Sequence, residues 1–273
     1  MNKVRISFLG GGNMASALIG GLVERGADAA AIKVVDLLPE SCRRLVERFG
    51  VRAVTAIDDA FIDCDLLVLS VKPQQMRDAI APLSGRLTGQ LVVSIAAGLR
   101  LDDLSRWLGG HHRLVRCMPN TPALIGAGVS GLYADPSVDA AGREAAESVM
   151  QAVGSVAWVG RESLIDAVTA VSGSGPAYVF HFIEALEAGG RSLGFDEATA
   201  RRLAIDTVLG AARLAAASDE APGVLRERVT SKGGTTEAAL KSMAESGVFD
   251  AIVRAVAAAE ARGRELGDAL GRD

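Results

Sequence analysis

The chain has 273 residues, a formal net charge of −4, and 49% hydrophobic but only 4% aromatic residues. This length and apolar content allow one large domain or two modest ones, and the absence of a basic, aromatic-rich composition argues against a nucleic-acid surface. The longest apolar stretches reach about half of the ~20 residues that a membrane-spanning helix needs, and the N-terminus has no signal-peptide pattern; we therefore expect a cytoplasmic protein with a small-molecule substrate and no membrane partner.

The N-terminal segment predicts a dinucleotide-binding turn between a strand and a helix that spans 15–24. Gly10 permits a tight turn, Gly12 leaves room for a pyrophosphate, and Ala15 lets the helix pack closely on the sheet. The helix N-terminus directs free N–H groups and its positive dipole end at the phosphates. We therefore predict cofactor contacts from Leu9, Gly10, Gly11, Gly12, Asn13 and Met14.

The second strand, 32–35, ends in Asp36, whose carboxylate can accept hydrogen bonds from the adenosine ribose. Such a carboxylate favours NAD over NADP, because a 2′-phosphate would meet a negative charge. Arg43 and Arg44 follow on the next helix, where a solvated helix face is the simpler interpretation, although either could reach the phosphate. The sequence leaves the choice between NADP and NAD open.

Further apolar strands are predicted over 65–71, 90–95 and 114–118, with helical stretches between them. Strands that alternate with helices predict a doubly wound, parallel sheet of the Rossmann type, here over residues 1–160. Ligands of such sheets lie at the carboxyl ends of the strands. We therefore expect cofactor contacts from two strand ends and one stiff, proline-flanked loop: Ser70, Val71, Lys72 and Pro73; Ala96, Ala97 and Gly98; and Asn120.

Helical periodicity replaces the strand pattern after about residue 160, in segments near 176–193, 196–218, 234–246 and 248–270. We expect an all-helical domain over 161–273. Its Ala-rich helices leave wide apolar faces that a second subunit would cover, which predicts a homo-oligomer formed through this domain.

Two hydroxyl- and glycine-rich segments of the helical domain end at helix N-termini: 172–178 and 230–237. Each offers backbone N–H groups and hydroxyls to an anion. Ordinary helix capping explains one such segment, but two of them after a dinucleotide-binding domain favour an anionic substrate.

The residues that are missing restrict the chemistry. Cys42, Cys64 and Cys117 are too scattered for a disulfide framework or a metal site, and we expect no metal. The helical domain has only Lys232 and Lys241, neither placed as the base that a hydroxy-acid dehydrogenase needs. Reduction of a C=N bond asks less, because a protonated imine already accepts hydride.

Six motifs follow one another along the chain: Gly10–Ala15, Val71–Pro73, Ser94–Gly98, Met118–Pro122, Ser172–Tyr178 and Gly233–Ala238. With these motifs the chain resembles the pyrroline-5-carboxylate reductases nearly from end to end. The resemblance implies hydride transfer from NADPH or NADH to C5 of 1-pyrroline-5-carboxylate, which yields L-proline in the last step of proline biosynthesis. It also implies intertwined homodimers, often assembled into larger rings such as a homodecamer.

The same resemblance implies the substrate site. The substrate carboxylate would rest on the loop that precedes the third predicted helix, and the hydroxyl of Thr236, the expected catalytic group, would lie near the ring nitrogen. Lys232 departs from the proline of many members and adds a cation there. The expected substrate-binding residues are Ser231, Gly233, Gly234, Thr235, Thr236, Glu162 and Ser174.

Two alternatives belong to other classes. A 2-hydroxy or 3-hydroxy acid dehydrogenase also joins a Rossmann domain to a helical domain, but it is disfavoured by the missing helix-interior lysine. A non-catalytic dinucleotide-binding redox sensor would keep the glycine turn and lose the hydroxyl-rich loops, and this chain keeps both.

Overall fold

The computed structural model describes residues 4–271. Within that range the chain forms two compact units: unit 1 comprises residues 4–174 and 259–271, and unit 2 comprises residues 175–258. This division differs from a boundary at residue 160, because residues 161–174 and the second half of the last helix belong to unit 1.

Unit 1 is built on an eight-stranded sheet with the strand order β3-β2-β1-β4-β5-β6-β7-β8. The first six strands are parallel and have the Rossmann order 3-2-1-4-5-6, which confirms the predicted fold class. β7 pairs with β6 in the antiparallel direction, and β8 runs parallel to β7. The strands are β1 (Ile6–Leu9), β2 (Ile32–Val35), β3 (Arg52–Val54), β4 (Leu66–Leu69), β5 (Leu91–Ser94), β6 (Leu114–Met118), β7 (Gly128–Ala134) and β8 (Gly154–Trp158).

Helices cover both faces of this sheet, so its central strands are mostly apolar, and β4 is apolar at all four positions. In β4, Leu66 and Val68 join one core cluster, whereas Leu67 and Leu69 join the other, because successive side chains of a strand point to opposite faces. The helices of unit 1 before the connection to unit 2 are α1 (Asn13–Glu24), α2 (Pro39–Phe49), α3 (Asp59–Ile62), α4 (Met76–Ile80), α5 (Leu101–Trp107), α6 (Ala140–Gln151) and α7 (Leu164–Val168).

A π-helical segment, Thr169–Gly173, follows α7 and leads to the helices of unit 2. These lie close to the predicted segments: α8 (Gly175–Ser192), α9 (Glu197–Ala216), α10 (Pro222–Arg228), α11 (Thr235–Glu245) and α12 (Val248–Leu270), whose second half returns to unit 1. Pro222 opens α10 at a position where a missing N–H costs nothing.

Unit 2 buries few of its own apolar side chains. Within a single chain, α9 buries Ala200 and Ala204, and no residue of α8, α10 or α11 is buried. Large apolar side chains are instead exposed, among them Phe180 (61%), Phe249 (74%), Ile252 (54%) and Leu214 (58%). These helices have the apolar faces that the sequence predicts, and one chain leaves those faces uncovered.

No helix within residues 4–271 has both the length and the apolar character needed to cross a bilayer.

Candidate functional site

The glycine turn after β1 leaves an open space at the N-terminus of α1. Gly10 has a φ of 101° and donates its N–H to Val35 O at 2.7 Å. A Cβ at Gly10 would lie 2.8 Å from Ser70 O, so the neighbouring strand end requires glycine there. Gly12 is the N-cap of α1, and a Cβ at Gly12 would meet no atom within 4 Å. The turn therefore offers an exposed helix N-terminus of the kind that holds a phosphate.

Asp36 is fixed against this turn. One carboxylate oxygen accepts the N–H of Gly11 at 2.7 Å, and the other accepts the N–H of Leu38 at 2.9 Å. Arg43 pairs with a glutamate on its own helix, as a solvated helix face predicts. Arg44 instead donates to Gly11 O at 3.5 Å, so a guanidinium lies beside the turn together with the carboxylate.

Ser70 joins the ends of β1 and β4. Its hydroxyl lies 2.9 Å from Leu9 O and 2.8 Å from Gly10 O, so its one hydrogen is shared between these two backbone carbonyls. After Ser70, the side chain of Lys72 is exposed, and Pro73 begins a short 3-10 turn. The predicted residues of the first turn, Asp36 and Ser70 thus come together at the carboxyl edge of the sheet.

The β5–α5 turn, residues 95–100, presents one small side chain to the surface. Ala96 and Gly98 are buried, Ala97 is exposed, and Gly98 has a φ of 81°. The turn is fixed at its end by Glu162, whose carboxylate accepts the N–H of Leu101 at 2.8 Å. Of the three positions predicted here, Ala97 is therefore the one open to a ligand.

A buried cation lies beneath this turn, and sequence reasoning missed it. Arg116 of β6 is 1% exposed and is paired in register with Ser94 of β5. Its guanidinium donates to Asp166 at 2.7 Å and to Glu162 at 3.3 Å. The available signal was a single arginine within the apolar strand 114–118, since a charge in such a strand needs a buried partner. Glu162, predicted to lie near the substrate, is thus engaged by Arg116 and Leu101.

Asn120 connects three parts of unit 1. Its side-chain oxygen accepts the N–H of Val129 at 2.9 Å, and its amide donates to Ser172 O at 3.1 Å. The side chain thereby ties the loop after β6 to β7 and to the π-helical segment, which directly precedes the half-buried Ser174. Segments of this kind occur frequently at functional sites. The structure uses the Asn120 side chain as a brace between backbones.

The loop before α11, which belongs to unit 2, uses two of its backbone N–H groups in hydrogen bonds within the loop and with α11. Gly233 has a φ of 74°, and its N–H donates to Glu237 at 2.7 Å. Gly234, the N-cap, donates its N–H to Ser231 O at 3.0 Å. Thr235 and Thr236 take the first two helical positions, where backbone N–H groups have no intrahelical acceptor.

The donors of this loop that remain for a substrate anion are therefore the N–H groups and hydroxyls of these two threonines, with Ser231 and the exposed Lys232 close by in the chain. Glu237 was missed as a support of the loop, although a glutamate three residues after an N-cap is a known capping pattern.

The remaining candidate groups are the cysteines, His181 and possible metal ligands. Cys42, Cys64 and Cys117 are free, and burial raises the pKa of each thiol. His181 of α8 has an 87% exposed side chain within one chain and lies near Glu184. Among residues 4–271, no group of three or more His, Cys, Asp or Glu side chains is arranged to hold a metal ion.

Comparison with known proteins matches two regions of the chain to two family models, and the whole chain to one enzyme family. Residues 162–266 match the family described as pyrroline-5-carboxylate reductase dimerisation, and residues 5–98 match the family described as NADP oxidoreductase coenzyme F420-dependent. A pyrroline-5-carboxylate reductase of Pseudomonas aeruginosa is 47% identical over 274 aligned positions, which cover 100% of each chain.

Two solved structures are similar over almost the whole chain. A pyrroline-5-carboxylate reductase from Coxiella burnetii has a TM-score of 0.93 and 39% identity, and the match covers 97% of this chain and 99% of that one. A Plasmodium falciparum pyrroline carboxylate reductase with NADP bound has a TM-score of 0.85 and 25% identity, with 98% and 99% covered.

Proposed function

The chain belongs to the pyrroline-5-carboxylate reductase family, and we infer that it reduces 1-pyrroline-5-carboxylate to L-proline with NADPH or NADH as hydride donor. The observation that carries this inference is 47% identity across the whole length of a relative with that name. The reaction adds one hydride to C5 and one proton to the ring nitrogen, so the C=N bond becomes a secondary amine and the cofactor is oxidised.

The residues at the carboxyl edge of the sheet fit a dinucleotide. The open space at Gly12 lies at a helix N-terminus, and Asp36 keeps acceptor capacity for ribose hydroxyls beyond its two backbone donors. When bound, the dinucleotide supplies the hydride. We propose that Arg44 offsets the charge of Asp36, so that a 2′-phosphate is accepted, as the NADP of the Plasmodium falciparum relative suggests.

We propose that the remaining predicted cofactor contacts come from the other residues of this edge. These are Leu9, Gly10, Gly11, Asn13 and Met14 of the first turn; Ser70, Val71, Lys72 and Pro73 after β4; Ala97 after β5, in a turn shaped by the buried Ala96 and Gly98; and Asn120 through the loop that it braces.

We propose that the substrate carboxylate binds to the loop before α11. The N–H groups of Thr235 and Thr236 stand at a helix N-terminus, where the dipole favours an anion. Lys232 adds a positive charge two positions before the N-cap Gly234. Ser231, Gly233 and Gly234 shape the loop, and Ser174 contributes a hydroxyl from the other segment.

The hydroxyl of Thr236 is the proposed catalytic group. It orients the ring nitrogen of the substrate and supports the proton on it, which makes C5 more electrophilic. Such a neutral group is sufficient because its oxygen can accept a hydrogen bond from the protonated ring nitrogen, and a protonated imine needs no base for hydride addition. Glu162 contributes through its hold on the turn after β5, since its carboxylate accepts the N–H of Leu101.

We further propose that unit 2 forms a homodimer through its exposed apolar helix faces, that dimers assemble into a decamer, and that the enzyme acts in the cytoplasm. The support for the dimer is twofold: residues 162–266 match a dimerisation family, and the large apolar side chains of α8 to α12 lie exposed in a single chain. A face of this extent marks a protein interface.

The activity is tested by following oxidation of NADPH and of NADH by the purified protein with and without 1-pyrroline-5-carboxylate. We expect oxidation only when the substrate is present, with L-proline as product. A parallel assay with NADP+ or NAD+ and a panel of 2-hydroxy and 3-hydroxy acids tests the dehydrogenase alternative. Absence of turnover with both cofactors would remove the assignment and favour a non-catalytic sensor.

A further inference from the structure

The end of α12 packs on the β5–α5 turn through a contact between two glycines. Gly267 is the buried residue of α12, and a Cβ at Gly267 would lie 2.7 Å from Gly98 O. A Cβ at Gly98 would lie 3.5 Å from Gly267 N and 3.4 Å from Leu270 Cδ1. At position 267 the two backbones therefore approach more closely than a side chain would allow, whereas a Cβ at Gly98 would make ordinary van der Waals contacts with α12. The glycine at position 98 is explained by its φ of 81°.

Three further contacts fix the same end of α12 to the residues around the turn. Arg100 pairs with Asp268, and Arg106 of α5 donates to Gly271 O at 3.0 Å. Leu270 packs against the core cluster that contains Leu99 and Leu101. The contact thus combines an ion pair, a helix C-terminal carbonyl and an apolar side chain, all within unit 1.

On its other side the turn is held by the buried charges of unit 1. Glu162 accepts the N–H of Leu101 at 2.8 Å and receives Arg116 at 3.3 Å. Between these two supports, Ala97 is the exposed residue of the segment 96–99. A shift of α12 against Gly98 must therefore move Ala97, because neither Leu99 nor Leu101 can yield within the packed core.

We propose that Gly267 is a positioning residue for the nicotinamide half of the cofactor, acting through Gly98 on the exposed surface at Ala97. The proposal rests on the function inferred above, in which the turn after β5 contacts the cofactor. It assigns a role to the last turn of α12, which is far in sequence from the glycine turn proposed to bind the phosphates. The adenosine half of the cofactor, at Asp36, is independent of this contact.

The test is a pair of matched variants on α12. Gly267→Ala introduces a Cβ 2.7 Å from Gly98 O, whereas Gly263→Ala, one turn earlier, introduces a Cβ with no atom within 4 Å. Both changes raise helix propensity equally, so they differ in the contact alone. Affinity is measured by calorimetry for NADP+, which has both halves, and for 2′,5′-ADP, which has only the adenosine half.

We expect Gly267→Ala to weaken NADP+ binding by roughly threefold to thirtyfold, because a shift of several tenths of an ångström at a binding group is costly. Binding of 2′,5′-ADP stays within about twofold of the original chain, and Gly263→Ala leaves both affinities unchanged. A merely structural defect would weaken both ligands. Equal NADP+ binding by the two variants, or equal weakening of both ligands by Gly267→Ala, overturns the proposal.

A second variant removes support instead of adding bulk. Leu270→Ala takes away the packing of this helix end on the core cluster that contains Leu99 and Leu101, and Leu266→Ala, on a 41% exposed side chain, is its control. We expect Leu270→Ala to weaken NADP+ binding and to spare 2′,5′-ADP, which keeps the proposal testable if Gly267→Ala does not fold. Normal NADP+ binding by Leu270→Ala counts against the proposal. If the original chain binds NADP+ and reduces the substrate, and the variants bind NADP+ equally well, the positioning role of Gly267 is wrong and the proposed function stands.

Discussion

Replacing Arg116 with methionine should lower the stability of the protein far more than the same replacement at an exposed arginine. The side chain of Arg116 is 2% exposed, and those of its partners Glu162 and Asp166 are 26% and 9% exposed. Methionine fills a similar volume without charge, so Arg116→Met leaves two carboxylates at a buried site with no cation. The perturbation is therefore electrostatic more than it is a loss of packing.

The expected loss follows from the burial of the pair. Breaking a buried ion pair by removing one partner costs about 3–5 kcal/mol, because the other charge stays desolvated. For a chain of this size each kcal/mol lowers the thermal midpoint by about 2–4 °C, so we expect a fall of roughly 6–20 °C. Arg86→Met is the control: Arg86 also donates to an aspartate at 2.7 Å, but the side chains are 45% and 98% exposed. Exposed pairs contribute little, so the midpoint of this control should not change measurably.

The assay is thermal unfolding of the original chain and both variants at one protein concentration, since association stabilises the folded state by mass action. A third variant, Arg116→Met with Asp166→Leu and Glu162→Gln, should recover much of the loss, because a buried ion pair is often replaceable by apolar groups. A fall of the midpoint for Arg116→Met no larger than that for Arg86→Met would refute the argument.

Three further predictions concern the site and the acid stability. Asp36→Ser should raise the ratio of kcat/KM for NADPH to that for NADH by roughly tenfold or more, because one like charge near the 2′-phosphate is removed. Arg44→Ala should lower that ratio. A fall of the ratio for Asp36→Ser and a rise for Arg44→Ala would contradict the proposed roles of these two residues. Thr236→Ala should lower kcat/KM for 1-pyrroline-5-carboxylate by about 1–3 kcal/mol of transition-state binding, the value of one buried hydrogen bond; an unchanged value removes the role of that hydroxyl. The hydrogen bond from Arg5 lowers the pKa of Asp65, so this carboxylate stabilises the fold above its ordinary pKa of about 3.9 and loses that contribution as the pH falls further. Between pH ~4 and pH ~2, the free energy of unfolding in urea should therefore fall less for Asp65→Asn than for the original chain. An equal fall for the two proteins would exclude this contribution.

The strands that could be predicted from the sequence are those buried on both faces. β1, β2, β4, β5 and β6 are short, mostly apolar runs with at most one polar or charged residue each, and burial on both faces produces such runs regardless of what surrounds them. β3, β7 and β8 were not predicted: no residue of β3 or β8 is buried, and Gly131 interrupts the pattern of β7. The reason for this glycine is tertiary, because a Cβ at Gly131 would lie 2.5 Å from the side chain of Val168, a residue of α7.

The site shows the same division between local and distant causes. The glycine turn, Asp36 and the loop before α11 are local patterns, and the structure places each at the expected strand or helix end. The partners of Arg116 are 46 and 50 positions away in the chain, and the residue that covers Gly98 lies in the last helix. Composition and periodicity contain no information on such pairings, which arise only once the sheet and its helices are packed.

The scarcity of buried side chains in unit 2 makes the folding of these helices depend on how many other copies are present. In a single chain, Ala200 and Ala204 of α9 are the buried apolar residues of the described helices of unit 2, so most of the hydrophobic free energy that orders these helices must come from contact with another chain. For the proposed dimer, dilution should therefore lower the stability of unit 2, because separate chains leave Phe180, Phe249 and Ile252 facing water.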